Sequence, residues 1–318
     1  RTQVVPMSWR RLAKRAYASS IVLSTMAALS AVLRREPRAV IVNFHQFHAD
    51  DSSVFGKGPS VHTSVHTLER LLAKLQRRYR FVSLSELVDD LRANQPLSHD
   101  SIAITIDDGY VNNLTVGLPV FEKYGIPVTL FVATGFIGTD NMLPMEQLSY
   151  IISKTDKQEM LWPRIGTETA DLRTMADKRR EISRISSFLK SLPACDVQTR
   201  LDELWLKLDV DKKSAPRTML SWDEVREMSD RGVEVGSHAV SHHIMTQLTE
   251  DEARAELALS KLTIERELDR KVRHFAFPNG RPEDFSESLR QHANQLGYES
   301  IASVRRGACM PGKTSPAD

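Results

Sequence analysis

Six short runs of apolar residues recur along the chain, and helical patterns separate them. The runs are Arg38–His45, Ser101–Asp107, Ile126–Val132, Val233–Ser237, Val272–Phe277 and Ser300–Val304. Most are continuously apolar rather than alternating, as strands buried on both faces are. Strands alternating with helices imply a parallel sheet, open or closed into a barrel. The segment Leu68–Arg78 has apolar residues at helical spacing. Ser83 with Glu86, Ser221 with Glu224, and Thr249 with Glu252 have capping-box spacing and mark three helix starts. Gly232 suits the end of the second of these helices, and the third runs to about Asp269. The rhythm breaks between Asp140 and Pro216, a charged stretch of helical pattern with little strand signal. It reads as a helical insertion carried on one loop.

Composition sets few further limits. Of 318 residues, 41% are hydrophobic and 26% charged, so the chain can bury a large core without staples. A net charge of +2 gives no electrostatic argument for a nucleic-acid partner. Cys195 and Cys309 match no metal-ligand spacing and read as free thiols, with one long-range disulfide as the alternative. Near the start, Arg10, Arg11, Lys14 and Arg15 precede the apolar stretch Ala16–Leu33, which Arg34 and Arg35 close. Two readings stay open there. One is an amphipathic helix on the domain or on a membrane surface; the other is an anchor or export signal.

Four places carry chemistry. Asp107, Asp108 and Gly109 follow the second apolar run, so both carboxylates stand at the C-terminal end of a strand. Sites form at that end of parallel α/β folds. Adjacent carboxylates repel, and a bound cation lets one ligate while its neighbour stays free as a base. His238 and His242 lie just past the fourth run, four residues apart. That spacing puts two imidazoles on one face of a helical turn, and neutral imidazole suits zinc and its first-row neighbours. His62 and His66 share the spacing but lead into a helix with no strand behind them, so they read as surface residues. His243 competes with His242, and the spacing favours His242. The fifth run ends in Phe277-Pro278-Asn279-Gly280, and the first ends in His45, a catalytic histidine or a bonded core residue. One carboxylate with two histidines leaves coordination positions for water and substrate, and the second carboxylate supplies a base. These parts predict metal-assisted hydrolysis of a carbonyl compound.

In this order, TIDDG, HAVSH and FAFPNG resemble the motifs of the polysaccharide deacetylase family, carbohydrate esterase family 4. The stretch LSWDEVREMSDRGVEVGSHAVSH is similar too, and the likeness runs from about Arg38 to Gly307 around the insertion. The resemblance implies a distorted (β/α)7-type barrel of parallel strands, with residues 1–37 as an N-terminal helical extension and 38–318 as the catalytic domain. It implies Asp107 as general base and Asp108, His238 and His242 as ligands of one divalent metal ion, zinc first, with cobalt or nickel as alternatives. It implies removal of N-acetyl groups from N-acetylhexosamine units. The insertion and FAFPNG look like those of bacterial exopolysaccharide and surface-glycan enzymes, so the expected partner is a glycan or a lipid-linked glycan. Residues 10–35 would supply peripheral membrane contact, which suggests a cytoplasmic or membrane-associated enzyme, with export as the alternative. Two departures stand out. Ala276 occupies the place where many relatives pair an arginine with the base, and Arg273 is the nearby candidate. No Leu-x-Leu-His supplies the general acid, which leaves His45. The competing functions are a metal-dependent amidohydrolase of non-sugar amides or imides, and a silent glycan-binding relative.

Overall fold

A computed structural model describes residues 37–49, 62–162, 169–305 and 307–314. The extension read over residues 10–35 lies outside them. All six apolar runs form strands: β1 (Ala39–Phe44), β5 (Ser101–Ile106), β6 (Val128–Val132), β9 (Glu234–Ser237), β10 (His274–Ala276) and β11 (Ser300–Ala302). They pair in the order β1-β5-β6-β9-β10-β11, every pair parallel. β5 is buried along its whole length, which its uninterrupted SIAITI sequence requires. β1 covers one edge of β5 from Ser101 to Ile106. The other edge is shared. A seventh strand, β4 (Arg80–Val82), takes Ser101–Ala103, and β6 takes Ile104–Ile106. At its foot, β1 is met by the chain that follows β11, where Ala39 and Cys309 exchange backbone hydrogen bonds of 3.1 and 2.7 Å. The sheet thus curls into the expected incomplete barrel.

The helices of the barrel are α1 (Val65–Leu75), α2 (Leu84–Arg92), α3 (Leu118–Lys123), α7 (Trp222–Asp230), α8 (Glu250–Leu268) and α9 (Glu287–Gln295). Ser221–Glu224 and Thr249–Glu252 form full reciprocal capping boxes. Ser83 caps α2, but Glu86 turns to Arg80 instead of reaching back. Inside the barrel, Phe131 and Ala276, with Ile41 and Ala302, pack against Leu84 and Val88. Ser85 touches Glu234 and His274, the first residues of β9 and β10, so α2 closes the N-terminal mouth. The main core lies outside the strands, under the helices.

The insertion is helical as expected, with α4 (Pro144–Lys154), α5 (Met175–Leu189) and α6 (Ala194–Lys207) around its own core of Leu148, Ile151, Ile185, Leu201 and Leu204. It also holds an antiparallel hairpin, β7 (Glu159–Leu161) with β8 (Thr169–Asp171), that its helical pattern conceals. A further short pair, β2 (Gln46–His48) with β3 (His62–Ser64), places His62 in a strand, not in a polar lead-in. Cys195 and Cys309 are free thiols, and burial pushes that of Cys309 up to about 11. Among the described residues, no helix is long and apolar enough to cross a membrane.

Candidate metal centre and active site

The C-terminal ends of β1, β5, β9 and β10 meet at the open mouth of the barrel. Immediately after β5, Asp107 is extended off the strand and bonded through its N–H to Phe44 O. Asp108 then adopts φ 81°, and Gly109 follows at φ 92°, where a Cβ would stand 2.7 Å from Ile137. A left-handed aspartate is uncommon and strained, and it turns the two neighbouring carboxylates in different directions.

The Asp108 carboxylate is buried, and its Oδ1 lies 3.0 Å from His242 Nε2 and 3.5 Å from His238 Nε2. No donor meets that oxygen with hydrogen-bonding geometry. A buried orphan oxygen of this kind needs a partner. Ligands about 2.1 Å from a tetrahedral ion stand about 3.4 Å apart, which matches both separations. The Nδ1 of His238 is 2.8 Å from Ala276 O; donation there leaves Nε2 as a lone pair facing Asp108. Burial by itself would raise the Asp108 pKa, but the imidazoles, His242 foremost, hold it well below the usual carboxylate range. Burial lowers His238 and keeps it neutral, as a ligand must be. Among the described residues, Asp108, His238 and His242 are the one group arranged to hold a metal ion. His62 and His66 do not belong to it. His66 is exposed, and the His62 ring packs against His48 at 5.5 Å. His243 stays outside as well.

The two histidines do not sit on a helical turn. Residues 238–244 form a loop in which Ala239 (φ 65°) and His242 (φ 57°) are left-handed. Glu256 of α8 fixes this loop by accepting from the N–H groups of Val240 and Ser241 at 2.7 and 2.8 Å and from Ser241 Oγ at 2.7 Å. Thr134 and Gly135 donate to Ala239 O and Val240 O. The four-residue spacing therefore works through a clamped loop rather than through helical periodicity.

Asp107 is held by a residue that motif spacing did not single out. Asn43 Nδ2 donates to Asp107 Oδ2 at 2.7 Å, and Thr105 Oγ1 donates to Asn43 Oδ1 at 3.0 Å, which fixes the amide's orientation. Arg273 plays no such part. It pairs with Asp89 and Glu299 at the foot of the barrel, while Ala276 packs inside it. His45 Nε2 lies 3.9 Å from Asp107 Oδ2. The Tyr110 phenol is pushed well above its ordinary range, by burial first and then by Asp108 and Glu146, and so stays protonated beside the centre. A cavity of about 260 Å³ lies at the opposite mouth, lined by Ser85, Glu234, Arg270 and His274, and does not reach these residues.

The polysaccharide deacetylase family model matches residues 94–301. Solved structures share the fold, among them the following three. IcaB from Ammonifex degensii is 17% identical with a TM-score of 0.56, over 88% of this chain and 90% of that one. The Streptococcus pyogenes deacetylase PplD, solved with acetate, is 15% identical with a TM-score of 0.55, over 89% and 96%. The deacetylase domain of BpsB from Bordetella bronchiseptica is 13% identical with a TM-score of 0.50, over 89% and 95%. No curated protein sequence matches the chain. The family match spans β5 to β11 and takes in both halves of the centre, the aspartate pair and the histidine loop, so the chain belongs to the polysaccharide deacetylase family.

Proposed function

We propose that residues 38–318 form a metal-dependent N-deacetylase acting on N-acetylhexosamine units of a polysaccharide or a lipid-linked glycan. The observation that carries this reading is the orphaned Oδ1 of Asp108, facing two imidazole nitrogens with Asp107 alongside. Asp108, His238 and His242 would hold one divalent ion, zinc by the chemistry of the donor set. When bound, such an ion supplies Lewis acidity to the acetyl carbonyl and acidity to a water.

The chain's own groups handle the protons. Asp107 has one oxygen engaged by Asn43, which leaves Oδ1 to take a proton from the attacking water. As water oxygen bonds to the carbonyl carbon, the C–N bond weakens, and breaking it requires a proton on the departing amine. His45, half-buried near Asp107, is the donor in this scheme. The products are acetate and a free amino sugar. Residues 1–37, basic and apolar, form the extension that would bring this domain to a membrane surface carrying lipid-linked glycan.

The test is acetate release from a panel of N-acetylated glycans, by metal-loaded protein beside a chelated control. Chelator-sensitive release is the expected result. Stoichiometric metal without release from any glycan would turn the reading towards a non-sugar amide. Absence of both metal and release would make the chain a silent glycan binder.

A further inference from the structure

Lys190 ends the second helix of the insertion, and both its backbone and its side chain are fixed to the rim of the centre. Its carbonyl accepts from Gln247 Nε2, in the segment that follows the histidine loop. Its ammonium donates to Asn279 Oδ1 at 2.8 Å. Asn279 lies three residues past Ala276, whose carbonyl orients His238, and it is left-handed at φ 58°. The same loop carries Arg281. Asp284 holds the loop by accepting from Asn279 Nδ2 and from the Arg281 N–H at 2.5 and 2.8 Å.

Neither cation here has a close ion-pair partner among the described residues, because Asp284 Oδ2 is taken up by Asn279 and the Arg281 N–H. Among the described residues Lys190 makes no ion pair, since Asn279 is neutral. Arg281 has one ion pair, a 4.0 Å contact with Glu283 in which both side chains are exposed. The Lys190 pKa is lowered, by burial first and then by the charge of Arg281; the Asp284 and Asp108 carboxylates oppose this. The two cations thus disfavour each other, and Asp108, the carboxylate of the metal-ligand set, lies within electrostatic reach of Lys190. An anion brought between them relieves that repulsion and gains charge-assisted hydrogen bonds.

We propose that Lys190 and Arg281 form an anion subsite at the rim of the centre, taking a phosphate or carboxylate group that flanks the N-acetyl sugar in the substrate. The subsite rests on the deacetylase reading for its place beside the scissile group. The insertion then acts in substrate selection, because it delivers Lys190 to a loop that the barrel supplies.

Two measurements test it. The first compares kcat/KM for acetate release from N-acetylglucosamine 1-phosphate, from a disaccharide of N-acetylglucosamine and glucuronic acid, and from neutral chito-oligosaccharide. The anionic-to-neutral ratio should fall about tenfold in Lys190→Gln and in Arg281→Gln, mainly through KM, and Lys190→Arg should restore most of it. The two anionic substrates separate phosphate from carboxylate as the natural group. A purely structural role would lower all three substrates in proportion, and an unchanged ratio would overturn the proposal. The second is calorimetric binding of N-acetylglucosamine 1-phosphate against N-acetylglucosamine, which needs no turnover. If wild-type protein releases no acetate but binds the phosphorylated sugar several-fold more tightly, and Arg281→Gln abolishes that preference, the subsite stands while the deacetylase reading fails. Equal binding of the two sugars would remove the subsite.

Discussion

Asp107 and Asp108 are chemically identical neighbours, and the backbone between them gives them different work. The left-handed turn at Asp108 sends one carboxylate to two imidazoles and leaves the other with Asn43. We predict that Asp107→Asn lowers turnover by at least about a hundredfold while metal content is unchanged. Metal analysis beside single-turnover kinetics would check both halves. Asn43→Ala should lower kcat by roughly tenfold with metal retained, because a wandering base loses effective proximity to its water. Equal kcat in that variant would assign Asn43 to strand packing alone. The two aspartates and the two histidines were legible because each pair follows a strand with ligand-like spacing. Asn43 has no spacing to betray it. Its one signal is an amide in the middle of an apolar strand, a costly placement without a partner.

Short elements are where pattern reading fell short. β4, β7 and β8 have three residues each, too few for a period to appear. The long helix α8 was legible from its cap, whereas its service to the centre was not. Glu256 carries a clamp on the histidine loop across 15 and 16 residues of sequence, which no local pattern records. Two of the three clamp bonds satisfy backbone N–H groups, of Val240 and Ser241, that this loop does not pair internally. Glu256→Ala should therefore weaken metal affinity by about 10–100-fold, with helix content preserved, as loss of an outer partner does. Competition with a chromophoric chelator would measure this, and unaltered affinity would show that the loop holds itself.

The whole barrel has two unlike mouths. The centre occupies one, and the other holds a polar layer in which His274 lies 2.8 Å from Ser300 Oγ and 2.9 Å from Ser85 Oγ. Burial pushes its pKa down to about 4 from 6.5; Arg273 adds to this, while Glu234, Glu299 and Asp89 oppose it. Between those values the unfolded chain takes up a proton that the folded chain refuses. Stability from this group is complete above about pH 6.5 and is lost as pH falls towards 4, by at most about 3 kcal/mol. The urea midpoint should drop between pH 7 and pH 5, and drop less in His274→Gln. Burial lowers His238 and His243 too, so the variant's slope isolates the share due to His274. The barrel class and strand order of appearance were legible from the six apolar runs. Its closure was not, because a single bridge at Cys309 has no hydrophobic pattern.

That bridge has a consequence for the chain as it is being made. Ala39 and Cys309 are about 270 residues apart, so at about 5–20 residues per second synthesis of the second follows the first by tens of seconds. Throughout that interval the foot of β1 waits on the ribosome without its final neighbour, as an open strand edge that other chains can join. Closure of the barrel is therefore a late event, and a nascent chain stalled shortly before Cys309 would hold every residue of the candidate centre while its seam remained open.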